Sequence, residues 1–122
     1  MVESSKLIWQ NRQHQRLFDM IEEINSRTAD SSIFQRLTEY ADDHFILEEA
    51  YMEASNYPDA PSHIKAHDTF RNRLNNMVAE QAGYKDETVR ELLSLFLREW
   101  LTRHVMGVDK ELEKYILDSG LK

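Results

Sequence analysis

Residues 61–77 read PSHIKAHDTFRNRLNNM, and His63, His67, Phe70, Leu74 and Met77 fall along it at steps of four and three. Side chains three and four positions apart stack on one face of a helix, so this spacing keeps a single stripe turned toward a core. The stripe opens with two histidines one turn apart and continues with apolar residues. Imidazoles in line with core positions set both the fold and the chemistry to look for in the rest of the chain.

Three other stretches carry the same steps. The first helix is expected from about Asn11 to Ser26, with Leu17, Phe18, Ile21 and Ile24 on its inner face. The second begins near Ser32 as N-cap and carries Phe34, Leu37, Tyr40, Ala41, Phe45 and Met52. It stops before Tyr57-Pro58, because a residue preceding proline disfavours helix. The third opens after Pro61, with Ser62 as cap or first-turn residue, and reaches about Ala82, where Gly83 stops it. The fourth starts near Asp86, runs through Val89, Leu92, Leu93, Phe96, Trp100, Leu101, Val108, Leu112, Tyr115 and Ile116, and ends at Asp118-Ser119-Gly120. Short connections make neighbours antiparallel. The expected fold is all-α, an up-down-up-down antiparallel four-helix bundle, with residues 1–122 as a single domain.

Composition agrees. A chain of 122 residues with only 3 glycines and 2 prolines lacks the frequent turn residues a sheet protein needs. The net charge of −7, without any Lys/Arg cluster, argues against nucleic acid or an anionic membrane surface as a partner. No apolar run approaches the roughly 18 residues of a membrane span. With no cysteine, neither disulfides nor thiolate ligands exist, and no secretory leader is visible at the N-terminus. A cytoplasmic location is the default expectation. Arg98, Glu99 and Arg103 read as a wet outer face, and Met20, Met52 and Met77 as core packing. Trp9 reads as a cover for the end of the bundle or an interface residue. Asp42, Asp43 and Glu49 read as solvated acids or acids standing behind the site.

Five histidines, His14, His44, His63, His67 and His104, lie in or beside the four apolar stripes. Glu48 follows His44 by one turn and points the same way. Asp109 follows His104 by five residues, about 140° round a regular helix. Both can serve one cluster only if the helix lies close to it or carries a π-type bulge around Gly107; straight helix there would count against Asp109. Seven buried polar groups left unpaired, at about 1–3 kcal/mol each, would exceed the roughly 5–15 kcal/mol that holds a domain folded. They must be satisfied together, and a metal site does this. Seven ligands exceed the four of a closed zinc site, and five imidazoles are too nitrogen-rich for calcium or magnesium. Iron suits the mixture, with manganese and zinc also compatible. Two metals with one or both carboxylates bridging would use all seven groups.

At these residues the chain resembles the hemerythrin family, especially its bacterial members. The matching stretches are QHQRLFDMI at His14, HFILEEAYM at His44, YPDAPSHIKAHDTF at His63 and His67, and WLTRHVMGVDKEL at His104. The resemblance implies two iron ions, one held by His63, His67 and His104 and the other by His14 and His44. Glu48 and Asp109 would bridge them together with an oxo or hydroxo group. Dioxygen would bind reversibly at the open position of the iron with fewer histidines, in a dry pocket lined by Leu17, Phe45, Trp100, Leu101 and Val105. Binding rather than enzymatic turnover is implied. The chain departs from the family in having Asn11, where bacterial members usually carry an acidic residue three positions before the first histidine, and in its short N-terminal segment.

Other functions fit less well. A ferritin-like oxidase uses Glu-x-x-His pairs, whereas Asn11, Ala41, Ala60, Ile64 and Leu101 stand three positions before the histidines here. No HExxH motif exists for zinc hydrolysis. Hemerythrin-like domains also serve as oxygen or redox sensory inputs of chemoreceptors and diguanylate cyclases. The short N-terminal segment and the DSGLK ending are compatible with a domain cut from such a protein, with a fused or partner signalling output domain. A metal-free structural bundle would purify colourless and tolerate loss of its histidines.

Overall fold

A computed structural model of the chain describes residues 4–25, 32–80 and 87–120. Every regular element among them is a helix: α1 (Ile8–Glu23), α2 (Ser32–Ser55), α3 (Ala60–Glu80), α4 (Glu87–Met106) and α5 (Val108–Ser119). Helices α4 and α5 are the two halves of one long helix interrupted at Gly107, so the architecture is the expected up-down-up-down four-helix bundle. None of these helices is long and apolar enough to cross a membrane.

The apolar stripes close into two clusters at opposite ends of the bundle. The larger holds Leu17, Ile21, Leu37, Phe45, Phe70, Leu74, Leu97, Leu101 and Val105 among others, with Met20 and Met77 buried in it. The smaller holds Leu7, Met52, Tyr57, Leu112 and Ile116, and Trp9 packs against it while stacking on Tyr51 at 4.6 Å. Trp9 therefore covers the bundle end. Between the clusters lies a layer of buried polar residues. Along α1 the order is Leu7, then Gln10 and His14, then Leu17; along α2 it runs in reverse from Phe45 through Glu48 to Met52.

Helix ends differ from the sequence expectation in instructive ways. Helix α1 begins at Ile8, three residues early, because its N-cap Leu7 needs no polar side chain. The Leu7 N–H is instead taken by the Ser5 hydroxyl at 3.1 Å. Helix α1 ends at Glu23, and Ser26 lies outside the described residues. Ser32 is already helical and is not the cap. Helix α2 stops at Ser55 because Asn56 takes a left-handed φ of 53°. Tyr57 N–H then bonds Met52 C=O at 2.9 Å and Asn56 N–H bonds Glu53 C=O at 3.2 Å. This is a Schellman end, and its usual apolar contact is present between Met52 and Tyr57. Helix α3 takes in Ala60 and Pro61; proline is tolerated in a first turn, where no N–H is needed. Asp86, Ala82 and Gly83, expected to bound the last connection, lie outside the described residues.

Candidate metal centre

All seven expected site residues meet in the polar layer. His14, His44, Glu48, His63, His67 and Asp109 are at most 1% exposed, and His104 is 6% exposed at the edge of a groove of about 530 Å³ beside Trp100 and Gly107. They form two overlapping groups: Glu48, His63, His67, His104 and Asp109 in one, and His14, His44, Glu48 and Asp109 in the other. Within each group the facing atoms lie within 4.8 Å of one another. Each carboxylate divides its oxygens between the groups. Glu48 Oε1 is 3.0 Å from His67 Nε2 and 3.8 Å from His63 Nε2, while its Oε2 is 3.4 Å from His44 Nε2 and 3.8 Å from His14 Nε2. Asp109 Oδ1 is 2.8 Å from His63 Nε2 and 3.1 Å from His104 Nε2, and its Oδ2 is 3.0 Å from His14 Nε2.

Asp109 reaches the layer because the helix breaks. The interruption is a single residue, Gly107 at φ −108° and ψ −93°, where a π-type bulge had been one of two expectations. The irregularity is confirmed and its form corrected. Gly107 is required there for space, since a Cβ on it would lie 2.8 Å from the Arg103 carbonyl oxygen.

The fit to a metal is tested by what these atoms leave undone. His44 Nε2, His67 Nε2, His104 Nε2 and Glu48 Oε1 are buried without a hydrogen-bond partner, although each lies close to another of the set. Short distances without hydrogen-bond alignment mean that their lone pairs converge on space between them. The outer nitrogens fix that polarity. His44 Nδ1 lies 2.6 Å from Gln13 Oε1, and His67 Nδ1 lies 2.8 Å from Glu49 Oε2. Both oxygens only accept, so each Nδ1 carries the proton and each Nε2 faces inward as a bare donor atom. His14 Nδ1 is 3.0 Å from Ser4 Oγ, which itself donates to Asn11 Oδ1. Imidazole and carboxylate donors held this way in a dry layer fit a metal site.

Protons occupy the layer when no cation does. Burial works against a charged His14, yet its hydrogen bonds to Asp109 and Glu48 raise its pKa to about 9. Burial likewise opposes charge on Glu48 and Asp109, but the surrounding imidazoles hold both carboxyls well below the usual carboxylate range.

Of the residues expected around a gas pocket, Leu17, Phe45, Leu101 and Val105 are buried in the larger apolar cluster, with Trp100 packed against it. Phe45 stacks on His67 at 4.1 Å and Trp100 on His104 at 4.7 Å. Of the two readings open for Glu49 the structure takes the one behind the site, where Arg71 binds it at 2.9 Å and also pairs with Asp42. Arg98, Glu99 and Arg103 lie on the outer face, paired with Glu22 and with each other. Sequence reasoning missed Ser4, Ser5, Gln10 and Gln13. Gln10 offered one signal, since it stands one turn before His14 on the same face.

Comparison with known proteins covers the stretch of chain that carries these residues. A family model described as the hemerythrin HHE cation binding domain matches residues 9–116. A hemerythrin-like protein of Naegleria gruberi is 30% identical over 99 residues, covering 81% of this chain and 76% of the relative. A myohemerythrin of Riftia pachyptila is 31% identical over 97 residues (80% and 74%), and a bacteriohemerythrin of Stenotrophomonas maltophilia is 27% identical over 121 residues (85% and 77%).

Proposed function

The chain belongs to the hemerythrin family, and from that premise we propose that it binds dioxygen reversibly at a pair of non-heme irons, as an oxygen carrier or store. The single observation that supports this best is the pair of overlapping donor groups sharing Glu48 and Asp109. In this reading His63, His67 and His104 would hold one iron, His14 and His44 the other, and Glu48 and Asp109 would serve both. A ferrous pair held there would supply the electrons for dioxygen binding.

The rest is the work of the protein. Gln13, Ser4 and Glu49 hold the outer nitrogens of His44, His14 and His67, so the rings are already oriented with their inner nitrogens toward the site. Leu17, Phe45, Leu101 and Val105, none more than 1% exposed, wall the layer with apolar groups. Exclusion of water there slows the proton delivery that would otherwise drive irreversible oxidation. No side chain in the layer is needed as nucleophile or general acid, in keeping with binding rather than turnover.

The experiment is a visible spectrum of protein reduced anaerobically, then exposed to oxygen and returned to an oxygen-free atmosphere, with Leu101→Ala alongside. Reversible binding predicts a charge-transfer band that comes and goes with oxygen in the wild type. In Leu101→Ala the iron content should be unchanged and the decay of that band several-fold faster. A band that never reverses would move the function to redox sensing, and an unchanged decay in Leu101→Ala would remove that residue from the pocket.

A further inference from the structure

Gln10 is 0% exposed and lies inside the polar layer beside the seven expected residues. Its amide is fixed from both ends. The Leu7 N–H donates to Ser5 Oγ at 3.1 Å, and the Ser5 hydroxyl, its oxygen so engaged, donates to Gln10 Oε1 at 2.6 Å. Gln10 Nε2 then donates to Glu48 Oε2 at 2.8 Å, across 38 residues of sequence. An ionised carboxylate only accepts, so the amide must turn its NH₂ toward Glu48 and its oxygen toward Ser5. The chain of donors runs in one direction only, and Ser5 is itself 2% exposed.

The brace ends on one particular oxygen. Glu48 Oε2 is the atom that faces His44 and His14, while Oε1 faces His67 and His63. The half of the site with two imidazoles thus has three uncharged outer partners: Ser4 on His14, Gln13 on His44 and Gln10 on Glu48. On the other half His67 is backed by the carboxylate Glu49. Gln10 follows Leu7 by three residues, and Leu7 and Met52 belong to the smaller apolar cluster, so the amide stands at the edge of the polar layer. An amide there costs burial free energy unless both its ends are bonded, and here both are.

Resting on the di-iron reading above, we propose that Gln10, oriented by Ser5, is a positioning residue for Glu48 that sets occupancy and reduction potential of the iron held by His14 and His44. The N–H holds Oε2 in place 3.4 Å from His44 Nε2 and 3.8 Å from His14 Nε2. It also draws charge from the carboxylate, which makes the adjoining iron easier to reduce than a bare carboxylate would.

The test is an anaerobic titration of the metal-free full chain with ferrous ion against a competing chelator, for the wild type, Gln10→Met and Ser5→Ala. Methionine keeps the length of Gln10 but has no N–H. In Gln10→Met the first ferrous ion should bind with wild-type affinity and the second about 10–100-fold more weakly. The potential of the half-reduced centre should move in the negative direction. Ser5→Ala leaves the amide in place but frees it to turn, so it should shift both readouts the same way by less, and it carries the test if Gln10→Met does not fold. Unchanged binding of both ions in the variants, or equal weakening of both, would overturn the proposal, since packing alone cannot separate the two halves. A wild type that binds no iron would overturn the di-iron reading and this inference together.

Discussion

His14 carries a proton that a cation must displace. Burial disfavours its charge, but Asp109 at 3.0 Å and Glu48 at 3.8 Å raise its pKa from 6.5 to about 9. A pKa raised on folding adds stability that is complete below the unfolded value and is lost as pH climbs through the folded one. For the metal-free protein this is up to about 3 kcal/mol, present at about pH 6 and gone above about pH 9. Glu48 and Asp109, both depressed, act at the other end: their contribution is present above the usual carboxylate range and is lost in acid. Metal-free protein should therefore weaken in denaturant between about pH 6.5 and 9, while ferrous-ion affinity rises across the same window as protons leave. Parallel trends in the two quantities would mean that His14 does not exchange its proton for the metal. At this scale the five histidines and Glu48 were legible because they stand in or beside helical apolar stripes, and Asp109 because only an irregular helix could bring it to the same cluster. Gln10, Ser4 and Ser5 were not. Their partners lie elsewhere in the fold or in a segment without periodicity, and a lone polar residue among polar neighbours reads as surface.

Gly107 shows how an element is bent to serve a site. Regular helix would leave His104 and Asp109 about 140° apart, and the five-residue spacing alone demanded an irregularity. The sequence could indicate that something must give between them, and glycine marked where. It could not distinguish a bulge from a one-residue break, because that depends on how closely the turn packs on the Arg103 carbonyl. Gly107→Ala places a Cβ 2.8 Å from that oxygen. It should cost about 1 kcal/mol or more in thermal unfolding and should weaken iron retention by displacing Asp109. Wild-type stability and iron content in this variant would show that the break is not what delivers Asp109. Helix ends obey the same logic. Pro58 announced the end of α2, but the turn is made by Asn56 in a left-handed conformation. The start of α1 was placed late because its cap is Leu7, a residue without a polar side chain, supported by Ser5 two positions earlier.

Across the whole molecule the two apolar clusters flank a layer that is unfavourable without a cation. The bundle could be read from four apolar stripes, scarce glycine and proline, and short connections, since these are local properties. Apart from the interruption at Gly107, what the structure adds is mostly side-chain partnership at distance: which carboxylate oxygen faces which imidazole, and what stands behind His14, His44 and His67. Those pairings fit the layer to a cation, because the inner nitrogens of His44, His67 and His104 have no hydrogen-bond partner and those of His14 and His63 meet only Asp109. The central claim is that this layer holds two irons through the shared carboxylates Glu48 and Asp109. Iron analysis of protein loaded anaerobically and freed of unbound metal, on wild type, His44→Ala and Glu48→Ala, tests it most directly. The account predicts two irons per wild-type chain and loss of iron in both variants; an iron-free wild type, or full stoichiometric iron in Glu48→Ala, would contradict it.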